Sequence, residues 1–171
     1  FRRKALLLIG GFDAELRSDR DGADVGRRLA HLGLTAVVPD AQVHHGYLAS
    51  ERRRPDRVPL SLYEIAASTA VFLRRHAPGC DLEAAWLRLW QEQADRVAAH
   101  RGAGRLGDKE AQDLMAGLEQ GWADGLARPV AALSALAPAT PLEFQALPGT
   151  GPRAGLVIAG RPWRKARLLA Q

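Results

Sequence analysis

Glu119 is the side chain whose surroundings most favour chemistry in this chain of 171 residues. It lies in the stretch LMAGLEQGWADGLARPVAAL (114–133), inside a predicted helix and two residues before Gly121. Glycine inside a helix costs about 1 kcal/mol relative to alanine, so its presence there indicates close backbone packing or the approach of a ligand. A carboxylate at such a place can act as a nucleophile or stabilise an oxocarbenium ion.

A second candidate site follows the apolar run KALLLIGG (4–11), which continues into Phe12 and Asp13. Glycines at the end of a strand let the backbone approach a ligand closely and point N–H groups at it. The run has neither the G-x-G-x-x-G fingerprint nor a Walker A loop. A tight turn without a ligand therefore remains the alternative to a binding site formed by Gly10, Gly11, Phe12 and Asp13.

The acidic tract around residue 20 does not have the spacing of a metal site. It lacks the twelve-residue ligand pattern of a calcium loop, so we expect solvated acids and a helix cap there. Cys80 is the only cysteine, which excludes an internal disulfide and the Cys-rich zinc patterns. The sequence predicts no metal and no cofactor. The acids concerned are those after Asp13, namely Glu15, Asp19, Asp21 and Asp24.

The first forty residues predict a βαβ unit. The run 4–11 is typical of a strand buried on both faces, 21–34 of a helix that Asp21 caps and Gly33 ends, and 35–40 of a second strand. Strand, helix and strand in this order imply a parallel sheet with a right-handed crossover. Ligands of such sheets bind outside the carboxyl ends of the strands, which adds Asp40 and His45 to the predicted substrate-binding residues.

Helices and short strands alternate in the rest of the chain. Residues 81–100 and 108–127 predict long helices with Asp81 and Asp108 as caps. Segment 60–76 is either one amphipathic helix or a short helix followed by a strand at 69–74, and its β-branched residues favour the second. Further strands are predicted over 128–136 and in the short apolar stretches LEFQAL, RAGLVIAG and KARLLA.

These elements together predict an α/β fold, a three-layer Rossmann-like domain with a small parallel sheet. One domain would span residues 1–171. A helical elaboration is expected at about 81–107, and a C-terminal β-rich segment of short strands at about 141–170.

Three pieces of the chain resemble the nucleoside 2-deoxyribosyltransferase-like superfamily. E-x-G-W-A-D-G-L-A-R-P-V (119–130) is similar to its helix-to-strand signature, LLLIGGFD (6–13) to its first strand, and LAHLGLTAVVPD (29–40) to its helix, glycine and second strand. The resemblance implies that Glu119 attacks the anomeric carbon of an N-glycosidic bond, as a transferase or hydrolase does. It also implies a base pocket lined by Gly10, Gly11 and Phe12, and a nucleoside or nucleotide as the bound partner.

Composition keeps two other functions open. A net charge of +5, with basic residues grouped at 52–54, 74–75 and 161–167, favours a nucleic-acid-binding or ribonucleoprotein subunit. Trp86, Trp90 and the long helices favour a non-catalytic assembly scaffold, including a homo-oligomer. The apolar runs are too short to span a membrane and no signal peptide is evident, so we expect a cytoplasmic protein without a membrane partner.

Overall fold

The regular secondary structure of the described residues consists of five α-helices joined by turns and irregular segments. The computed structural model describes residues 1–17, 20–36, 38–44, 52 and 54–138, all within the unit Phe1–Pro138. Within these ranges there is no β-sheet, only a single isolated bridge at Pro59. The helices are α1 (Arg3–Leu8), α2 (Asp21–Leu29), α3 (Tyr63–His76), α4 (Leu82–Gly102) and α5 (Asp108–Ala127).

The predicted Rossmann-like domain with a parallel sheet is therefore wrong. Residues 4–8, expected in the first strand, belong to α1, and the β-branched stretch 69–74 lies inside α3. Thr69 fits a helix because its hydroxyl donates to the carbonyl of Ile65, one turn earlier, at 2.7 Å. The segment 128–136 is neither helix nor strand, and the strands expected at about 141–170 lie outside the described residues.

The prediction was wrong because a short apolar run does not distinguish a strand from a helix, and α1 has no buried residue. The long helices, in contrast, are confirmed as α4 and α5. Asp81 caps α4 as expected, since its carboxylate accepts a hydrogen bond from the Ala84 N–H at 3.0 Å. At the start of α5 the N-cap is Gly107, whose N–H donates to the Glu110 carboxylate at 2.9 Å, and Asp108 is the first helical residue.

The two glycines of α5 let this helix lie directly on α3. A Cβ atom added to Gly121 would overlap the backbone of Tyr63, and one added to Gly125 would overlap the backbone of Ala67. Both positions are buried, and α5 packs far more closely on α3 than on α4. Close backbone packing, one of the two explanations left open for Gly121, is the one that the structure shows.

The core forms where α3, α4 and α5 meet. Leu62 and Leu118 are fully buried at its centre, and Leu89 and Val97 join it from α4. Burial of this kind stabilises a fold by about 1.5–3 kcal/mol for each large aliphatic side chain. The remaining buried members are Val58, Ala66, Ala70, Ala85, Leu106, Ala111, Leu114 and Trp122.

Candidate functional site

The predicted glycine site is the C-terminal end of α1. Gly10 and Gly11 have φ angles of 78° and 73°, which glycine adopts without strain. Their N–H groups donate to the carbonyls of Leu7 (3.2 Å) and Leu6 (2.8 Å), the pattern of a Schellman motif. A Cβ on Gly10 would also come within 2.6 Å of the Leu133 side chain. The tight-turn interpretation therefore accounts for both glycines, whose N–H groups are bonded inside the protein.

The other predicted binding residues differ widely in their surroundings. Phe12 is about half exposed, whereas Asp13 is buried and forms an ion pair with Arg75 of α3. Asp40 is exposed in a turn, and His45 lies outside the described residues. The structure thus brings Asp13 into a charged cluster and leaves Asp40 on the surface.

Asp24 is the centre of that buried charged cluster. Its side chain is fully buried and contacts Arg28 Nε at 2.8 Å, Arg75 Nη1 at 3.1 Å and His76 Nε2 at 2.8 Å. Burial by itself raises the pKa of a carboxyl group, but the hydrogen bonds from Arg28, His76 and Arg75 outweigh it. The pKa of Asp24 therefore lies below its ordinary value, and the expectation of a solvated acid is wrong for Asp24.

Arg28 connects this cluster to the glycine turn. Its guanidinium donates to the carbonyl of Ile9 at 2.6 Å and to that of Gly11 at 2.8 Å, while it also bonds Asp24. The turn after α1, the helix α2 and the end of α3 are consequently tied together through charged hydrogen bonds, which are stronger than neutral ones. The cluster holds the N-terminal helices on the core.

Arg128 organises a second cluster at the end of α5. Its guanidinium makes two bonds to the Glu64 carboxylate, at 3.1 and 3.2 Å, and one to Asp124 at 2.7 Å. These acceptors outweigh burial and raise the pKa of Arg128 above its ordinary value. The Arg-Pro step of the family-like signature is thus a structural anchor in this fold.

Glu119 lies in a groove on the outer side of α4 and α5. Its carboxylate shares a hollow of about 550 Å³ with Trp86, Leu87, Trp90 and Trp122. The rings of Trp86 and Trp122 are 5.3 Å apart and tilted by 33°, an ordinary aromatic contact. The Glu119 side chain makes no hydrogen bond or ion pair within the described ranges.

The groove continues toward the turn between the two helices. A second hollow of about 470 Å³ begins at Trp90 and extends to the ion pair between Arg101 and Asp108. Its other lining residues are Ala94, Val97, Ala98, Ala111, Gln112 and Met115. We call the two hollows together the α4–α5 groove.

Exposure makes this groove the candidate functional site. Leu87 is 59% exposed and Trp90 36% exposed, although both are large and apolar. Exposed apolar side chains that occur singly are normal, but a continuous patch marks an interaction surface. No described contact joins the groove to Gly10–Asp13. The resemblance implied a nucleoside-cleaving site formed by Glu119 together with this turn, and that site stays a prediction.

Comparisons with known proteins add no family. No family model, no curated protein and no solved structure matches the chain. Among the described residues, no helix is long and apolar enough to cross a membrane. No three His, Cys, Asp or Glu side chains in this part of the chain could hold a metal ion.

Proposed function

We propose that this protein is a non-catalytic helical assembly module that joins a second copy of itself through the α4–α5 groove. The observation that carries the proposal is the exposure of Leu87 and Trp90 in a groove whose lining is mostly apolar. Aromatic side chains of this kind commonly supply most of the energy of protein interfaces.

The spacing of the lining residues favours a helical partner. Along α4 the groove is lined by residues 86, 87, 90, 94, 97, 98 and 101, and along α5 by 108, 111, 112, 115, 119 and 122. Most of these residues follow one another at steps of three or four, so each helix presents one face to the groove, as in a coiled-coil seam. Helical hairpins with such seams pair into four-helix bundles, so a second α4–α5 hairpin fits this surface.

The charges of the groove favour a copy of the same chain. Glu119 lies beside Trp90, where the two hollows meet, and Arg101 lies at the end next to the turn, paired with Asp108. A twofold axis across the groove between these two levels brings Glu119 of one copy toward the Arg101–Asp108 pair of the other. Arg101 then also lies near Trp90 of the second copy, where a guanidinium gains from the face of an indole ring.

The size of the surface indicates a reversible dimer. The groove follows about 15 residues of each helix, a length of about 22 Å, and the two helices together are about 20 Å wide, so it covers roughly 450 Å² in each copy. Two copies would bury about 900 Å², which is typical of weak, transient interfaces. We therefore expect dimers that dissociate on dilution.

Two neighbouring alanines of α4 provide the test. Ala98 lines the groove and Ala99 does not, yet both are exposed. Sedimentation of the full chain between about 1 and about 100 µM should show a concentration-dependent dimer. Ala98→Glu should weaken dimerisation at least about tenfold, because a charge buried in the interface opposes association, while Ala99→Glu leaves it unchanged.

The two variants carry the same charge and the same residue type, so a general effect of the added glutamate would appear in both. A wild-type chain that stays monomeric at all concentrations would overturn the proposal. Equal dimerisation of Ala98→Glu and wild type would exclude this groove as the interface.

The described contacts give less support to a nucleic-acid subunit. Arg74 donates to the carbonyls of Gly125 and Arg128, and Arg75 is held by Asp13 and Asp24. Two of the arginines that motivated this alternative are thus engaged inside the protein. Residues 161–167 lie outside the described ranges.

A further inference from the structure

A small polar cavity lies between α3 and α4, beside the start of α2. It has a volume of about 100 Å³, and its wall includes Ser68 and Thr69 of α3 and Gln93 of α4. Ser68 is fully buried and Gln93 is 4% exposed. This cavity opens on a different set of residues from the α4–α5 groove.

Two buried atoms of this wall have no hydrogen-bond partner among the described residues: Ser68 Oγ and Gln93 Oε1. Native proteins seldom leave buried polar atoms unpaired, and an ordered molecule in the cavity usually supplies the missing bond. A carbonyl oxygen such as Gln93 Oε1 needs a donor, whereas the Ser68 hydroxyl can donate or accept. An occupant that satisfies both atoms must carry at least one O–H or N–H group.

The charged residues that line the cavity indicate the charge of its occupant. Arg20, which is partly buried, and Arg96 and Glu92, which are both exposed, also line the cavity. Within the described part of the chain, Arg20 bonds only the Thr69 hydroxyl, at 3.4 Å, and Arg96 forms no ion pair. Guanidinium groups are suited to the oxygens of small anions, whereas a carboxylate only accepts hydrogen bonds.

We propose that this cavity binds a small oxoanion that retains a proton, with hydrogen phosphate as its representative. Arg20, Arg96 and the Ser68 hydroxyl donate to the anion oxygens. The O–H of the anion donates to Gln93 Oε1 or to Glu92. The volume suits one such ion, since it equals the space of about three waters.

The retained proton separates this ligand from close analogues. Sulfate has the same shape as phosphate but carries no proton at pH 7, so it has no O–H for the buried Gln93 Oε1, and none for the exposed Glu92 carboxylate. Sites that hydrogen-bond a hydroxyl reject analogues lacking it, because the buried acceptor is then left unpaired. A phosphate monoester, which is mostly deprotonated at pH 7, is disfavoured for the same reason.

Calorimetric titration of the full chain with sodium phosphate, sodium sulfate and methyl phosphate at pH 7 tests the proposal. We expect phosphate to bind at least about tenfold more tightly than either analogue. Arg96→Gln should weaken phosphate binding by about tenfold or more, while Arg88→Gln, on the exposed side of α4, leaves it unchanged. Glu92→Gln should reduce the difference in affinity between phosphate and sulfate, because the amide of glutamine can donate a hydrogen bond to sulfate.

Ser68→Ala separates binding from folding. The substitution removes a buried hydroxyl that has no protein partner, so the variant should unfold at a higher temperature than wild type in phosphate-free buffer. The same variant should lose most of the stabilisation that phosphate gives to wild type. Absence of phosphate binding, or equal binding by wild type and Arg96→Gln, would overturn the proposal and leave ordered water as the occupant. Equal affinity for sulfate and phosphate would contradict the recognition of the anion's proton by Gln93 or Glu92.

Discussion

Asp24 shows how much depends on the surroundings of a single carboxylate. In the sequence it is one of several acids near the start of a helix, and it has the same appearance as Asp21. In the structure Asp21 is exposed, while Asp24 is enclosed by Arg28, Arg75 and His76. A buried, ionised carboxylate of this kind is compatible with a stable fold only while its positively charged partners remain in place.

Replacing Asp24 by asparagine should strongly destabilise the fold at neutral pH. Removal of one member of a buried ion cluster leaves the other charges without compensation, which costs about 3–5 kcal/mol. We expect a loss of about that size in the free energy of unfolding for Asp24→Asn at pH 7, measured with a chemical denaturant. Asp21→Asn, at the exposed start of the same helix, should cost less than about 1 kcal/mol.

The lowered pKa of Asp24 adds a pH dependence to this difference. Because the pKa of the folded state lies below the ordinary value of 3.8, the stabilisation is fully present above pH 3.8. It is lost as the pH falls through the folded pKa, when the carboxyl group becomes protonated. The gap between wild type and Asp24→Asn should therefore shrink below pH 3.8, and a gap that stays constant down to pH 2 would contradict the assignment.

At the scale of elements, α5 shows why a glycine must be judged by its neighbours. Gly117, Gly121 and Gly125 occupy the same helix and reduce its intrinsic stability alike. An added Cβ would meet nothing at Gly117, whereas at Gly121 it would overlap the backbone of Tyr63. The contact with α3 therefore requires glycine at positions 121 and 125, whereas nothing in the packing requires it at position 117.

Alanine substitutions at these positions should have opposite effects. Gly117→Ala should raise the free energy of unfolding by about 0.5–1 kcal/mol, because it improves helix propensity without a clash. Gly121→Ala should lower it by about 3 kcal/mol or more, because α5 must move away from α3. Thermal and denaturant unfolding of the two variants would measure this, and a stable Gly121→Ala protein would contradict the close packing.

Elements were predictable where the pattern was long. Both long helices could be located from their periodicity over about 20 residues, and Asp81 could be recognised as a cap because capping depends on adjacent residues. The run that forms α1 has six residues, too few for its period to be recognised. Its outcome depended on contacts with residues more than a hundred positions away, such as the bond from the Leu136 N–H to the Leu7 carbonyl at 2.8 Å.

At the scale of the whole molecule, the proposed dimer makes a prediction about charge. If Glu119 of one copy faces Arg101 of the other, reversing either charge should weaken dimerisation, and reversing both should restore it. We expect Glu119→Arg and Arg101→Glu each to raise the dissociation constant about fivefold, or about 1 kcal/mol, and the double variant to recover most of the loss.

Sedimentation of the four proteins at low ionic strength would measure this coupling, since salt screens exposed charges. Arg101 also pairs with Asp108 in its own chain, so unfolding curves of the variants are the control for stability. If the losses of dimer affinity simply add in the double variant, Glu119 of one copy does not face Arg101 of the other. Whether the groove is the interface is tested separately by the Ala98 and Ala99 variants.

The candidate site was only partly visible in the sequence. Trp86, Trp90 and the long helices indicated an assembly surface, and the three-four spacing along α4 and α5 was there to be found. The alternative centred on Glu119 and the glycine turn needed a parallel sheet to bring them together, and the described residues contain none. Whether a carboxylate meets a distant turn depends on the path of the chain, which local patterns do not specify.

The sequence by itself determined the two long helices, the cap at Asp81 and the absence of an internal disulfide, because each follows from residues close together or from a count. Only the tertiary structure decided that the run before Gly10 is helical, that Gly121 packs on α3 and that Asp24 is buried. These outcomes required partners far away in the chain. The physical reason is that burial and ion pairing are properties of what surrounds a residue, whereas helix periodicity and capping are properties of the residues beside it.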